Sequence, residues 1–138
     1  MTEPTTLYIT AADLDENNVY VGTADVTDWI GSIEIAANLG WVRFSGGLRA
    51  SFSIRAMPGS GIKAGLGIEA GSGIKAGEGI DAVWGIEAGL GIDAVWGIKA
   101  GWGIKAGSGI DAGEGIEAVW GIKAGLGIEA GEGIKAGW

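Results

Sequence analysis

From Gly61 to Trp138 the chain is one six-residue unit repeated thirteen times without an insertion. The first copy is Gly61-Ile62-Lys63-Ala64-Gly65-Leu66 and the last is Gly133-Ile134-Lys135-Ala136-Gly137-Trp138. Position one is always Gly, position two Ile, position three Lys, Glu or Asp, and position four Ala. Position five is Gly or Val, and position six is Leu, Ser, Glu or Trp. A short, unbroken period restricts a chain to folds made by stacking one small unit on the next.

Within each unit Ile and Ala stand two residues apart with a charge between them. That is strand alternation, with the apolar pair inward and the charge outward. A helix is disfavoured because two glycines per unit would cost about 2 kcal/mol relative to alanine. A six-residue period also fails to follow the helical 3.6. The array holds 23 of the 29 glycines. They are expected to end each short strand by supplying positive-φ or tight-bend conformations. Collagen is excluded by the absence of a Gly-X-Y period and by only 2 prolines. A hydrophobic fraction of 47% excludes a weakly hydrophobic disordered chain. The predicted fold is all-β: a parallel, three-sided β-solenoid of hexapeptide repeats.

The variable positions set the number of strands per coil. If residues eighteen apart stack, the sixth positions form a column of Leu66, Trp84, Trp102, Trp120 and Trp138. Stacking every twelve scatters those tryptophans among Leu and Glu. The eighteen-residue register also aligns Lys63, Asp81, Lys99, Glu117 and Lys135, which alternate in sign. Three hexads per turn then give three different faces. One is expected to carry the tryptophan column with the alternating charges. A second stacks Glu69, Glu87, Lys105 and Lys123 with Ser72, Leu90, Ser108 and Leu126, and is neutral. The third groups Lys75, Glu78, Asp93, Trp96, Asp111, Glu114, Glu129 and Glu132, six acids against one lysine. Rungs about 4.8 Å apart give the thirteen hexads a little over four rungs, about 20 Å of rod.

Towards the N-terminus the hexad decays. Residues 41–60 contain degenerate units in phase with the array, broken by the two-residue insertion Gly59-Ser60. They are expected to add about one coil. Arg43, Arg49 and Arg55 occupy its outward positions, one per face, as a basic girdle. Residues 1–40 are expected to be an irregular β cap, with Leu7-Tyr8-Ile9-Thr10 and Ile33-Glu34-Ile35 as short strands, covering a coil edge that would otherwise be unpaired. No cap sequence follows the last hexad, so the C-terminal solenoid end is a candidate surface for pairing with a second copy.

Histidine and cysteine are absent. This removes histidine acid–base devices, cysteine nucleophiles and the usual zinc, haem and iron–sulfur ligands. No catalytic residue, cofactor or metal is predicted. Asp13, Asp15 and Asn17 have the opening spacing of a calcium loop, but Asn18 and Ala24 stand where Gly and Glu are needed. A net charge of −8 disfavours direct binding to nucleic acid or anionic membrane and favours a basic protein partner. No apolar run reaches the length of a membrane span, and Met1-Thr2-Glu3-Pro4 does not open a secretory signal, so a cytoplasmic protein is expected. Hexapeptide acyltransferases share the period but rely on a histidine base and a different repeat. An ice-binding solenoid needs threonine arrays, and no threonine follows Thr27.

The run of Gly-Ile-Lys-Ala-Gly and Gly-Ile-Glu-Ala-Gly units over residues 61–138 resembles hexapeptide-repeat proteins encoded by bacteriophages and mobile elements. That resemblance implies a small non-enzymatic inhibitor of bacterial defence, of the anti-CRISPR kind. The partner-binding candidates are Trp84, Trp102, Trp120 and Trp138 in the aromatic column, and Asp93, Asp111, Glu114, Glu129 and Glu132 on the acidic face. Exposed aromatics suit an interface hot spot. A line of carboxylates suits a basic groove that normally holds nucleic acid. The alternatives are a structural or assembly module of a phage or mobile element, and an oligomeric sponge that binds a small charged ligand through the arginine girdle.

Overall fold

The computed structural model of the chain describes residues 5–137. Its irregular first part contains β1 (Thr5–Ile9), β2 (Gly31–Ile35), β3 (Gly40–Phe44), β4 (Leu48–Ala50), β5 (Ile54–Ala56) and β6 (Ser60–Ala64). One strand per hexad follows: β7 (Ile68–Ala70), β8 (Ile74–Ala76), β9 (Ile80–Ala82), β10 (Ile86–Ala88), β11 (Ile92–Ala94) and β12 (Ile98–Ala100). The series closes with β13 (Ile104–Ala106), β14 (Gly109–Ala112), β15 (Ile116–Ala118), β16 (Ile122–Ala124), β17 (Gly127–Ala130) and β18 (Ile134–Ala136).

Successive strands go to successive faces, so each sheet takes every third strand. The seven-stranded sheet runs β1-β2-β5-β8-β11-β14-β17, the six-stranded sheet β3-β6-β9-β12-β15-β18, and the five-stranded sheet β4-β7-β10-β13-β16. All these pairings are parallel, and within the regular array they set Ile over Ile and Ala over Ala, as in Ile80↔Ile98 and Ala82↔Ala100. The fold is therefore a three-sided parallel β-solenoid of about six turns. From Ile62 to Ala118 every hexad isoleucine and alanine is at most 3% exposed. Each buried isoleucine contributes about 1.5–3 kcal/mol of apolar transfer energy. Coil-to-coil hydrogen bonds continue through the corners: Trp102 N–H donates to the Trp84 carbonyl at 2.9 Å and Gly101 N–H to the Ala82 carbonyl at 3.0 Å.

The fifth-position glycines stand at the tight bends expected of them, but without positive φ. The glycines with positive φ are Gly31, Gly40 and Gly59, all ahead of the regular array. In the array the constraint is close approach between coils. A Cβ on Gly101 would lie 1.9 Å from the carbonyl oxygen of Val83, and one on Gly107 would lie 2.1 Å from that of Gly89. Val83, Val95 and Val119 take this same fifth position, each with glycine on the rung above and below in its column, such as Gly65 and Gly101 around Val83. Their N–H bonds to the preceding coil are 3.2–3.4 Å long, against 2.8–3.2 Å for the glycines. Only the Val119 bond, at 3.4 Å, is longer than every glycine bond of this kind among the described residues.

The first sixty residues contribute more of the rod than about one coil under a cap. β2 lies inside the segment expected to be the cap, yet it pairs in register with β5 and buries Ile33 and Ile35 completely. Residues 10–30 complete an irregular coil beyond it. Val19 bridges Arg43 on the six-stranded side, Trp29 bridges Ala50 on the five-stranded side, and β1 pairs with β2. Leu7, Leu14, Tyr20 and Trp29 pack against the end of the core. Before Trp29, Asp25 accepts hydrogen bonds from the Thr27 hydroxyl and backbone N–H, which hold its carboxyl below the usual carboxylate range.

The Gly59-Ser60 insertion has a definite structural role. Gly59 adopts φ +85° and Ser60 is fully buried. The Ser60 hydroxyl donates to the Ala36 carbonyl and accepts from Leu39 N–H, closing the turn between β2 and β3.

Candidate functional site

Each hexad places three side chains in predictable surroundings. The third residue stands out from the middle of a three-residue strand. The fifth is the corner. The sixth lies beyond the corner, next to the first glycine of the following hexad, and with no Cβ there its side chain has room to lean over the sheet that follows. The surface is therefore a set of columns parallel to the rod axis.

The aromatic column forms as expected but sits elsewhere. Trp84 and Trp102 stack with centroids 5.1 Å apart and planes 5° from parallel, and Trp102 and Trp120 with 5.5 Å and 6°. Leu66 continues the column, while Trp138 lies outside the described residues. These residues occupy the corner after the six-stranded sheet. Leu66 and Trp84 wall a shallow groove over the five-stranded sheet, floored by Gly67 and Gly85 and bordered by Glu69, Glu87 and Lys105. The ladder thus borders the neutral face, not the face with alternating charges. The alternating charges do stack as read: Lys63, Asp81, Lys99, Glu117 and Lys135 are register partners on the six-stranded sheet.

The expected acidic face is divided. Asp93, Asp111 and Glu129 are consecutive register partners on the seven-stranded sheet, following Lys75. Glu78, Trp96, Glu114 and Glu132 form the corner column between that sheet and the six-stranded one, joined by hydrogen bonds such as Glu114 N–H to the Trp96 carbonyl at 2.9 Å. Trp96 and Glu114 lean across the corner. With Trp41 they line a groove of about 380 Å³ over the six-stranded sheet, beside Asp81, Lys99 and Glu117. Trp41 meets Trp96 edge to face with ring centroids 6.5 Å apart. This aromatic pair escaped the sequence reading because Trp41 lies outside the regular array. Its one visible signal was an eighteen-residue column that places Glu78 and Trp96 after Ser60.

The arginine girdle occupies one coil as expected, with Arg43 on β3, Arg49 on β4 and Arg55 on β5. Arg49 makes an exposed 3.8 Å ion pair with Glu69, a geometry that contributes little in water. The calcium-loop candidates are engaged in their own turn. Asp15 accepts from the N–H groups of Asn17 and Val19, Asp13 accepts from Thr10 N–H, and Asn18 donates to the Leu39 carbonyl. Among the described residues no group of three His, Cys, Asp or Glu side chains is placed to hold a metal ion, and no helix is long and apolar enough to cross a membrane. Burial falls in the last rungs: Ile122 and Ile128 are partly buried and Ile134 is 50% exposed.

Comparison with known proteins finds no match among family models, curated proteins or solved structures.

Proposed function

We propose that this chain is a non-catalytic interaction protein that lays its acidic seven-stranded face in a basic, nucleic-acid-binding groove of a partner protein. The observation that carries this reading is the register column Asp93–Asp111–Glu129. Like charges directly opposite one another destabilise a sheet, and no cation interrupts these three. Their rungs, about 4.8 Å apart, form a line of single negative charges, more widely spaced than the charges along one nucleic-acid strand, about 3.4 Å apart along the helix axis. Glu114 and Glu132 stand in the adjoining corner column, with Glu114 leaning towards the six-stranded sheet. Electrostatic complementarity of this kind speeds association and selects basic partners. The resemblance to phage and mobile-element hexapeptide proteins supplies the context: an inhibitor of a bacterial defence complex, acting in the host cytoplasm.

The test is capture from bacterial lysate, comparing the wild type with a variant carrying Asp93→Asn, Asp111→Asn and Glu129→Gln. The reading expects a partner that is held by the wild type, lost by the variant and released by competing nucleic acid. Equal capture by both proteins would overturn it.

A second reading places the partner on the Trp84–Trp102–Trp120 ladder, favoured by three large aromatic side chains that are each more than two-fifths exposed. Replacing all three with Ser separates the two readings. Binding that fails in this variant but survives the carboxylate changes belongs to the ladder.

A further inference from the structure

We propose that two copies of this chain pair face to face and antiparallel through their five-stranded sheets, with the two-fold axis between the β10 and β13 rungs. The outward column of this sheet reads, in register order, Arg49, Glu69, Glu87, Lys105, Lys123. Its last four residues are two acids followed by two lysines. A two-fold axis lying in the contact plane along the strand direction reverses that order in the second copy. Glu69 then faces the second copy's Lys123, and Glu87 faces its Lys105, with the reciprocal pairs completing four rungs of opposite charge.

Charge selects both orientation and register. Parallel rods would set every rung against its own copy, like on like. Moving the axis half a rung, onto Glu87, places Glu87 against itself and Arg49 against Lys123. Moving it midway between Glu69 and Glu87 makes these contacts all like-charged. One alignment alone pairs every one of the four.

The corner columns fit the same axis. Antiparallel pairing about it keeps each corner against its own counterpart. Trp84 therefore faces Trp102 of the other copy, and Leu66 faces Trp120. At the opposite corner the column is Ser72, Leu90, Ser108, Leu126, each donating its N–H to the residue before it. Reversed, it sets Leu90 against Ser108 and Leu126 against Ser72, a large side chain against a small one on both rungs. Leu90 and Leu126 are 56% and 86% exposed in the single chain. Shape and charge thus point to one arrangement, the self-complementarity that an isologous interface requires.

Within one chain this column has no comparable rationale. On the six-stranded sheet the charges alternate in sign from Lys63 to Lys135, so each acid there lies between two lysines. On the five-stranded sheet Arg49–Glu69 and Glu87–Lys105 are opposite-charge neighbours, but Glu69–Glu87 and Lys105–Lys123 are like-charged, a cost to the monomer that a reversed copy compensates. The four charges from Glu69 to Lys123 cancel, so rods of net charge −8 can approach along this face. Four rungs make a short contact, at the low end of specific interfaces, so the dimer is expected to be concentration-dependent. The acidic seven-stranded face stays open on both copies, and the inference does not depend on the proposed partner.

Sedimentation velocity over a wide concentration range tests it, using the full chain and two charge-reversed variants. Glu69→Lys with Glu87→Lys makes the column wholly basic, and Lys105→Glu with Lys123→Glu makes its central part wholly acidic. Each variant alone is expected to lose the dimer while keeping the β circular dichroism signal. An equimolar mixture of the two is expected to regain it. A wild type that stays monomeric at every concentration, variants that dimerise as the wild type does, or a mixture that fails to associate would overturn the proposal. The carboxylate-neutralised variant of the seven-stranded face should still dimerise, so failure of the partner reading and failure of this one are separable.

Discussion

The indole rings of Trp84 and Trp102 lie within 5° of parallel with centroids 5.1 Å apart, one full coil separating them along the chain. Trp102 is shared with Trp120 in the same way, so one residue holds both stacked pairs. Trp102→Leu should abolish the coupled indole signal in near-ultraviolet circular dichroism and leave the far-ultraviolet β signal intact. With side chains this exposed, the loss of stability should be about 1 kcal/mol, near the lower end for two aromatic pairs.

The isoleucine stack predicts a gradient of mutational cost along the rod. Ile98 is 1% exposed and has isoleucine on both neighbouring rungs, whereas Ile134 is 50% exposed. Ile98→Ala should destabilise by about 2–5 kcal/mol in denaturant unfolding. Ile134→Ala should cost less than a quarter of that.

Fifth-position and first-position glycines form two classes that one methyl group distinguishes. A Cβ at Gly101 lands 1.9 Å from a carbonyl oxygen, while at Gly91 the nearest atom is 3.5 Å away. Gly101→Ala should lower stability by about 1–3 kcal/mol through forced displacement of the backbone. Gly91→Ala should be neutral or stabilising by up to about 1 kcal/mol, because it restricts the unfolded chain. Thermal unfolding of the two variants in parallel checks this.

Ser60 is a buried hydroxyl that serves two backbone groups, the Ala36 carbonyl and Leu39 N–H. Ser60→Ala should cost about 1–3 kcal/mol, because both groups lose a partner away from water. Hydrogen exchange should locate the loosening at residues 36–40 and leave the regular coils protected.

Asp111 stands between Asp93 and Glu129 in register, so its charge opposes stability while serving the proposed partner. Asp111→Asn should raise stability by about 0.2–1 kcal/mol at low ionic strength. The gain should shrink as salt screens the column, and the same change should weaken capture of a basic partner.

Much of the architecture was legible because each hexad states its own geometry. Ile and Ala flanking a charge identified the buried positions, and the recurrence of Trp84, Trp102 and Trp120 identified the eighteen-residue coil. Two things were not legible. The side towards which a sixth-position residue leans depends on the empty space over the next glycine, so Trp84 reached the five-stranded face and Trp96 the six-stranded one. The irregular coil over residues 10–30 is held through single bridges at Val19 and Trp29 to strands more than twenty residues away, and such contacts leave no local pattern. The Gly59-Ser60 insertion was visible, but the burial of Ser60 is decided by Ala36 and Leu39.

The fold recurs with every hexad, whereas the surface recurs only with every coil, as in Trp84 and Trp102. Loss or gain of one hexad by replication slippage would leave the core intact and pass every later side chain to a neighbouring face. The tryptophans would fall out of line and the charge columns would be reshuffled. Loss or gain of three hexads together would change only the rod's length. A lineage of such chains can therefore drift in size at little risk to folding, while selection for binding admits only changes in steps of a whole turn.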